Sequence, residues 1–357
     1  MQIFDLKRGT NDTMSEWTKK QRLEAVLNGE LADRPPITCY HHFPEYEHGG
    51  AKLMADTFLK FQKEYDWDIV KLNPRAVYYY EAWGNTYDYE HYNDVVPTRT
   101  SNLIHDYRDL EKVMEMSGDE PIWTEQYETA RLVVEGVGED VPVYAGAFTP
   151  IGILLNLCGY RSVGRYRESP REESNLILLC QEHPEEVHRA LKNIANTMAQ
   201  YCQRMKEVGV TGVFYAALGM ARTGYFTLGE WNEFCKPYDL IAMESIRDLP
   251  NMVHTCGIYG NPERFVDYPC KIIHWAASAP GNPAMKDSPA WLNGKLPMGG
   301  CDERPFGQGK APVIDQMCHK TLSEMKNIPF IMAPECSVAP GVLPNELRAF
   351  RNSVEKY

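Results

Sequence analysis

"GVFYAAL" (212–218), "TLGEWNEFCKPYDLIAMESIRDL" (227–249) and "NMVHTCG" (251–257) follow one another in the chain. The outer two are short apolar runs rich in β-branched and aromatic residues, the composition of a strand. The middle one spaces its apolar residues as a helix does. Strand, helix and strand in succession make a parallel pair joined by a crossover. The alternation extends both ways. Strands are expected at 35–43, 68–74, 141–148, 212–218, 251–257, 270–277, 296–302 and 329–336, eight in all. Helices are expected at 15–30, 51–65, 124–138, 185–209, 313–326 and 343–357, with Ser15 as the first N-cap and Gly29 and Gly209 as stops.

Eight strands alternating with helices predict an α/β fold, a single (β/α)8 TIM-type barrel over residues 20–357, preceded by a helical extension at 1–19. A doubly wound sheet is the alternative, but no GxGxxG follows the first strand and no GxxxxGK[ST] loop occurs. The stretch 75–107, "RAVYYYEAWGNTYDYEHYNDVVPTRTSNLIHDY", is an aromatic-rich insertion after strand two. It reads as a hairpin stiffened by cross-strand aromatic pairs, or as an aromatic lid over the barrel mouth.

The 357 residues are 43% hydrophobic, enough for a large core, and carry a formal charge of −12. So acidic a chain is a poor binder of nucleic acid or anionic membrane, which leaves small molecules and proteins as partners. The N-terminus lacks the apolar core of a signal peptide, and no apolar run is long enough to span a bilayer. A cytoplasmic location is expected, and the ten scattered cysteines are then reduced, most of them small core hydrophobes.

His254 and Cys256 need more than that. In a barrel of this type, working groups lie at the C-terminal ends of strands. Residues two apart in a strand point to the same side, so a His-x-Cys at a strand end aims both groups at one point. A third soft ligand would come from another strand end, either Cys336 in "APECSVAP" or Cys301 in "GGCDE". One imidazole and two thiolates suit Zn²⁺ and leave a coordination position open.

The stretches "RLEAVLNGELADRPPI", "DIVKLNP", "HTCG", "PMGGCD" and "APECSVAPGVLPNELRAF" resemble the uroporphyrinogen decarboxylase superfamily, and within it the zinc- and corrinoid-dependent methyltransferases. The resemblance covers residues 20–357 and implies a (β/α)8 barrel with zinc on His254, Cys256 and Cys336. It departs from the decarboxylases at "CYHHFPEYEHGG" (39–50), which holds no arginine for an acidic tetrapyrrole. The implied reaction moves a methyl group to or from a cobalt corrinoid (cobalamin) on a partner protein. One direction takes it from an aryl methyl ether, an O-demethylation onto cobalt(I). The other delivers it from methyl-corrinoid to a thiol such as coenzyme M. A zinc-holding barrel without turnover is the third option, and a homodimer is left open.

Other residues are candidates for substrate or proton chemistry. Glu335, beside Cys336, is a proton donor or fourth ligand; Asp302 is placed to act on substrate or behind the zinc. His41 or His42, Asn73, Tyr80 in the aromatic insertion, Tyr215 and Trp275 (or its neighbour His274) are expected to touch substrate. Each of these has an ordinary structural alternative in packing or loop hydrogen bonds.

Overall fold

The structure, a computed structural model, describes residues 17–160, 165, 166, 171 and 174–356. The expected extension lies outside them except for its last three residues, and so does Ser15. The first helix, α1 (Lys19–Leu27), is capped instead by Thr18. The Thr18 hydroxyl accepts from the Gln21 amide at 3.2 Å, and the Gln21 side chain accepts from the Thr18 amide at 2.9 Å.

The elements that follow are α2 (Gly50–Tyr65), β1 (Val70–Lys71), α3 (Tyr78–Trp83), β2 (Thr86–Asn93), β3 (Val96–Ser101), α4 (Pro121–Val137) and β4 (Val143–Phe148). Then come α5 (Pro150–Leu157), α6 (Asn175–Glu182), α7 (Pro184–Val208) and β5 (Gly212–Ala216). A short α8 (Leu228–Glu230) runs through a π turn into α9 (Lys236–Met243) and β6 (Met252–Thr255). The chain closes with β7 (Ile272–Trp275), β8 (Leu296–Cys301), α10 (Ala311–Glu324), β9 (Ile331–Pro334) and α11 (Pro344–Ser353). The connections from β6 to β7 and from β7 to β8 hold only 3₁₀ turns, so the outer helical layer is thinner there.

Seven parallel strands form one curled sheet in the order β1, β4, β5, β6, β7, β8, β9. The strand expected at 35–43 is reduced to a bridge between Ile37 and Met332. Thr38 N donates to Met332 O at 3.0 Å and Asp68 N donates to Ile37 O at 2.9 Å, so this segment lies between β9 and the start of β1. Pro35 and Pro36 have no N–H to donate, which holds the segment short of a full strand. The sheet is therefore a partial barrel of TIM type rather than eight complete strands. Buried Asp68 ties the seam by accepting from Arg34 at 2.5 Å, Arg22 at 3.3 Å and the Ile37 amide at 2.9 Å.

Strand alternation sorts the side chains into two cores. Phe214, Met252, Ile272, Met298 and Ile331 pack with Tyr40, and with Leu23 and Val26 of α1, on the concave side. Val213, Tyr215, Val253, Ile273, Trp275, Cys301 and Met332 belong to the other core, between sheet and helices. The aromatic insertion divides likewise. Tyr78, Tyr79 and Trp83 on α3 are core residues, with the Tyr79 hydroxyl donating to Gly146 O at 2.7 Å. The expected hairpin follows as β2 and β3, antiparallel, with Asn93 opposite Val96. No helix among the described residues is long and apolar enough to cross a membrane.

Candidate metal centre and cavity

His254 faces the concave side from β6, in register with Ala216 of β5 and His274 of β7. Cys256 continues the same parity just past the strand end. After Pro334 the chain leaves β9 and turns, which carries Cys336 over the same point. His254 Nε2 lies 2.7 Å from Cys256 Sγ and 3.7 Å from Cys336 Sγ, and the two sulfurs are 3.6 Å apart. All three are buried, and they form the one group of three or more His, Cys, Asp or Glu found close enough to share a metal among the described residues. Of the ten cysteines, Cys256 and Cys336 alone stand outside the hydrophobic clusters that hold the other eight. Cys336 is drawn well below the ordinary thiol range, first by the hydrogen bond with Cys256, then by the Arg165 guanidinium and His254. Two sulfur donors and an imidazole within one ion's reach are the donor set of zinc.

The glycine of "HTCG" has a local reason. Gly257 sits at φ +72°, and a Cβ there would lie 2.0 Å from Arg165 O. That carbonyl accepts from Ile258 N at 2.8 Å, so Arg165 is seated directly on the strand end.

The cluster opens onto a cavity of about 1160 Å³. Tyr40, Tyr80, Phe148, Tyr166 and Phe214 wall it with rings, and hairpin residues 93–99 form one side. Asn73 and Tyr80 line it as expected. The other candidates go elsewhere. Tyr215 is odd in the parity of β5 and faces the helices, where its hydroxyl donates to Asp239 at 2.9 Å. Trp275 is likewise outward on β7, its N–H donating to Pro283 O at 2.8 Å, while its neighbour His274 points inward. His41 turns against Phe43 and Phe61, and it is His42 that lines the cavity. Cys301 faces Cys318 at 3.7 Å in the outer core, which removes it as a competing ligand. Asp302 is held by Arg304 at 2.6 Å and does not line the cavity. Glu335 swings away from Cys336, and its oxygens accept from the Ser278 amide at 2.9 Å and hydroxyl at 2.5 Å.

Sequence reasoning passed over Glu303, Lys71, Arg165 and Tyr166. Glu303 lines the cavity and is 4% exposed; one oxygen accepts from Tyr166 at 2.6 Å, and the other, Oε2, has no hydrogen-bond partner. Burial, then the Cys336 charge, push its carboxyl up to about 7. Lys71 Nζ sits 4.5 Å from the Tyr40 ring centre and 4.4 Å from that of Phe214. Confinement among these rings pushes its ammonium down to about 7, against the pull of Cys336 and Cys256. The signal for both was position alone: Lys71 ends β1, and Glu303 lies two residues past β8.

A curled parallel sheet with a thiol–imidazole cluster at the carboxyl ends of its strands defines a barrel-type protein with a candidate metal site at its mouth. The chain belongs to the uroporphyrinogen decarboxylase (URO-D) family, which it matches over residues 18–357. Among solved structures it is similar to a methyltransferase from Methanosarcina mazei, with TM-score 0.77, 17% identity, and 96% of this chain and 99% of that one covered. It is also similar to a B12-independent methionine synthase from Shewanella, solved with selenomethionine, at TM-score 0.56, 11% identity and coverage of 90% and 95%. No curated protein matches the chain.

Proposed function

We propose that this protein is a zinc-dependent methyltransferase that takes the methyl group of an aryl methyl ether and gives it to the cobalt(I) corrinoid of a partner protein. The observation that carries the reading is the convergence of His254, Cys256 and Cys336 beside a cavity walled by aromatic rings. Family membership and the likeness to a methyltransferase support it.

His254, Cys256 and Cys336 would hold the ion, which when bound supplies Lewis acidity toward an oxygen or sulfur. The remaining chemistry falls to the chain. The methyl C–O bond breaks as the carbon–cobalt bond forms, and the aryl oxygen leaves with the electron pair. A phenolate is a basic leaving group, with a pKa of about 10 for a simple phenol. Glu303 is the carboxyl on the cavity wall with a free oxygen, and its proton converts the phenolate to a phenol. The role first expected of Glu335 passes to Glu303, because Ser278 holds both Glu335 oxygens. Tyr40, Tyr80 and Phe148 offer faces to the ring of the substrate.

Lys71 and Arg165, cations beside the trio, favour a second reading, since they would equally stabilise a thiolate accepting a methyl group from the corrinoid. The test is to mix the zinc-loaded protein with a cobalt(I) corrinoid protein and a panel of methoxyarenes while following the cobalt spectrum. Methyl-cobalt formation is expected. Demethylation of methyl-cobalt only on adding a thiol would install the second reading, and no spectral change in either arm would make the protein a barrel without turnover.

A further inference from the structure

Charge on the cavity wall is unevenly paired. Arg304 is met by Asp302 at 2.6 Å and Arg165 by Glu303 at 3.5 Å. Lys71 has no acid partner among the described residues; its contacts are two ring faces and the Asn73 side-chain oxygen. Asn73 is 2% exposed, and its Nδ2, a donor, is buried without an acceptor. Both residues line the cavity. An ammonium and an amide N–H thus stand side by side with unused donor capacity, beside rings that fit an aromatic ligand.

A confined cation without a counter-charge is costly, and a ligand that supplies the anion recovers the cost.

We propose that Lys71 and Asn73 form an oxyanion subsite of the cavity, filled by an ionised oxygen borne on an aromatic ligand. The oxygen is either the carboxylate of the bound arene or the phenolate set free from it. The inference rests on the methyl-transfer reading for the identity of the arene as substrate or product, and on the geometry of Lys71 and Asn73 for its charge.

The test is calorimetric binding to the zinc-loaded full chain, with no corrinoid present. One arm compares 4-methoxybenzoate with neutral 4-methoxybenzamide; the other compares an ionised nitrophenol with nitrobenzene. One anion at least is expected to bind about tenfold or more tightly than its neutral counterpart, the scale of one charge-assisted hydrogen bond. The arm that shows it names the source of the oxygen. The preference should collapse to about twofold or less in Lys71→Met and fall in part in Asn73→Ala, each checked for zinc content and circular dichroism. Equal binding of charged and neutral ligands, no binding of either anion, or a preference kept in both variants overturns the subsite. The same samples are then tested for methyl-cobalt formation. A charge preference without methyl transfer sinks the enzymatic reading and leaves the subsite; transfer from neutral ethers without a preference does the reverse.

Discussion

The imidazoles of His254 and His274 stack with their centres 4.5 Å apart and an angle of 30° between planes. They face each other across β6 and β7, and both ring nitrogens of His274 are engaged. The Tyr40 hydroxyl lies 3.2 Å from Nδ1 and Pro334 O lies 2.9 Å from Nε2. Burial pushes His274 well below the ordinary imidazole range, so it stays neutral beside the cluster. His274 stacks on the ring whose Nε2 meets both thiols.

His274→Ala should therefore weaken zinc binding without removing a ligand. Loss of a ring contact worth about 0.5–1.5 kcal/mol should weaken metal affinity by about 2–10-fold. Chelator competition on the folded variant would measure it. Wild-type affinity would show that His254 is oriented without its neighbour.

The two cysteines that closed strands in the sequence reading should separate cleanly. Cys336→Ala should bring zinc below one equivalent per chain, whereas Cys301→Ala should keep full zinc. The latter sits in the outer core against Cys318, and its loss costs stability of about 1 kcal/mol through a small void. Metal analysis and chemical denaturation on the same two variants would reveal a reversed pattern.

Gly257→Ala should be far worse than its size suggests. The position combines φ +72° with a 2.0 Å approach to Arg165 O, so both strain and a backbone clash result. A stability loss of about 1–3 kcal/mol is expected from strain alone. Arg165 must also lift off the His254–Cys256–Cys336 cluster, so weaker zinc binding should accompany it. Wild-type stability and zinc affinity together would refute the seating of Arg165.

Exchanging the two carboxyls tests the proton donor. Glu303→Gln keeps the shape but has no acidic proton, and should lower methyl transfer from ethers by about 10²–10⁴-fold. Glu335→Gln disturbs the Ser278 contact, costs about 1 kcal/mol of stability, and should affect the rate far less. Single-turnover rates followed at cobalt compare the two; a larger loss in Glu335→Gln would return the role to that residue.

Stability should depend on pH through Asp239. Its buried carboxyl is pushed up to about 7 by desolvation, although the Tyr268 and Tyr215 hydroxyls donate to it and pull the other way. A carboxyl whose folded value is raised holds its proton longer when folded than when unfolded. Its contribution is full below the ordinary carboxylate range and is lost as pH rises toward about 7. The span is of order 4 kcal/mol, at about 1.4 kcal/mol for each pH unit between the two values. Denaturation midpoints across that window should fall for the wild type and flatten in Asp239→Asn; equal slopes would mean that Asp239 does not titrate there.

Periodicity and ligand chemistry were legible without coordinates. Seven expected strands appear as strands, because short β-branched runs between helical stretches are locally determined. The eighth faded to a bridge at Ile37, since two prolines in its first half cannot donate to a ladder. The metal trio was readable because His-x-Cys on a strand keeps both groups on one side, and a thiol and imidazole are chemically conspicuous. Tyr215 and Trp275 were misplaced by one residue of parity: each sits at a strand end, but on the helix side. Which member of a pair such as His274–Trp275 faces inward depends on registration across the sheet, and composition does not encode it.

The chain by itself determined the alternation of strands and helices, the family to which it belongs, and the chemical kind of its candidate ligand set, because these follow from residue type and short-range spacing. Strand-end spacing left Cys336 and Cys301 both open, the family resemblance pointed to Cys336, and the tertiary structure brings Cys336 to the pair; it alone decided that Glu335 turns to Ser278 while Glu303, on the cavity wall, keeps an unpartnered oxygen, and that Lys71 and Asn73 line that cavity. Each of those outcomes depends on where backbones separated by tens to hundreds of residues come to rest. A turn after a strand can carry a side chain to either face at little local cost, and only the packing around it chooses.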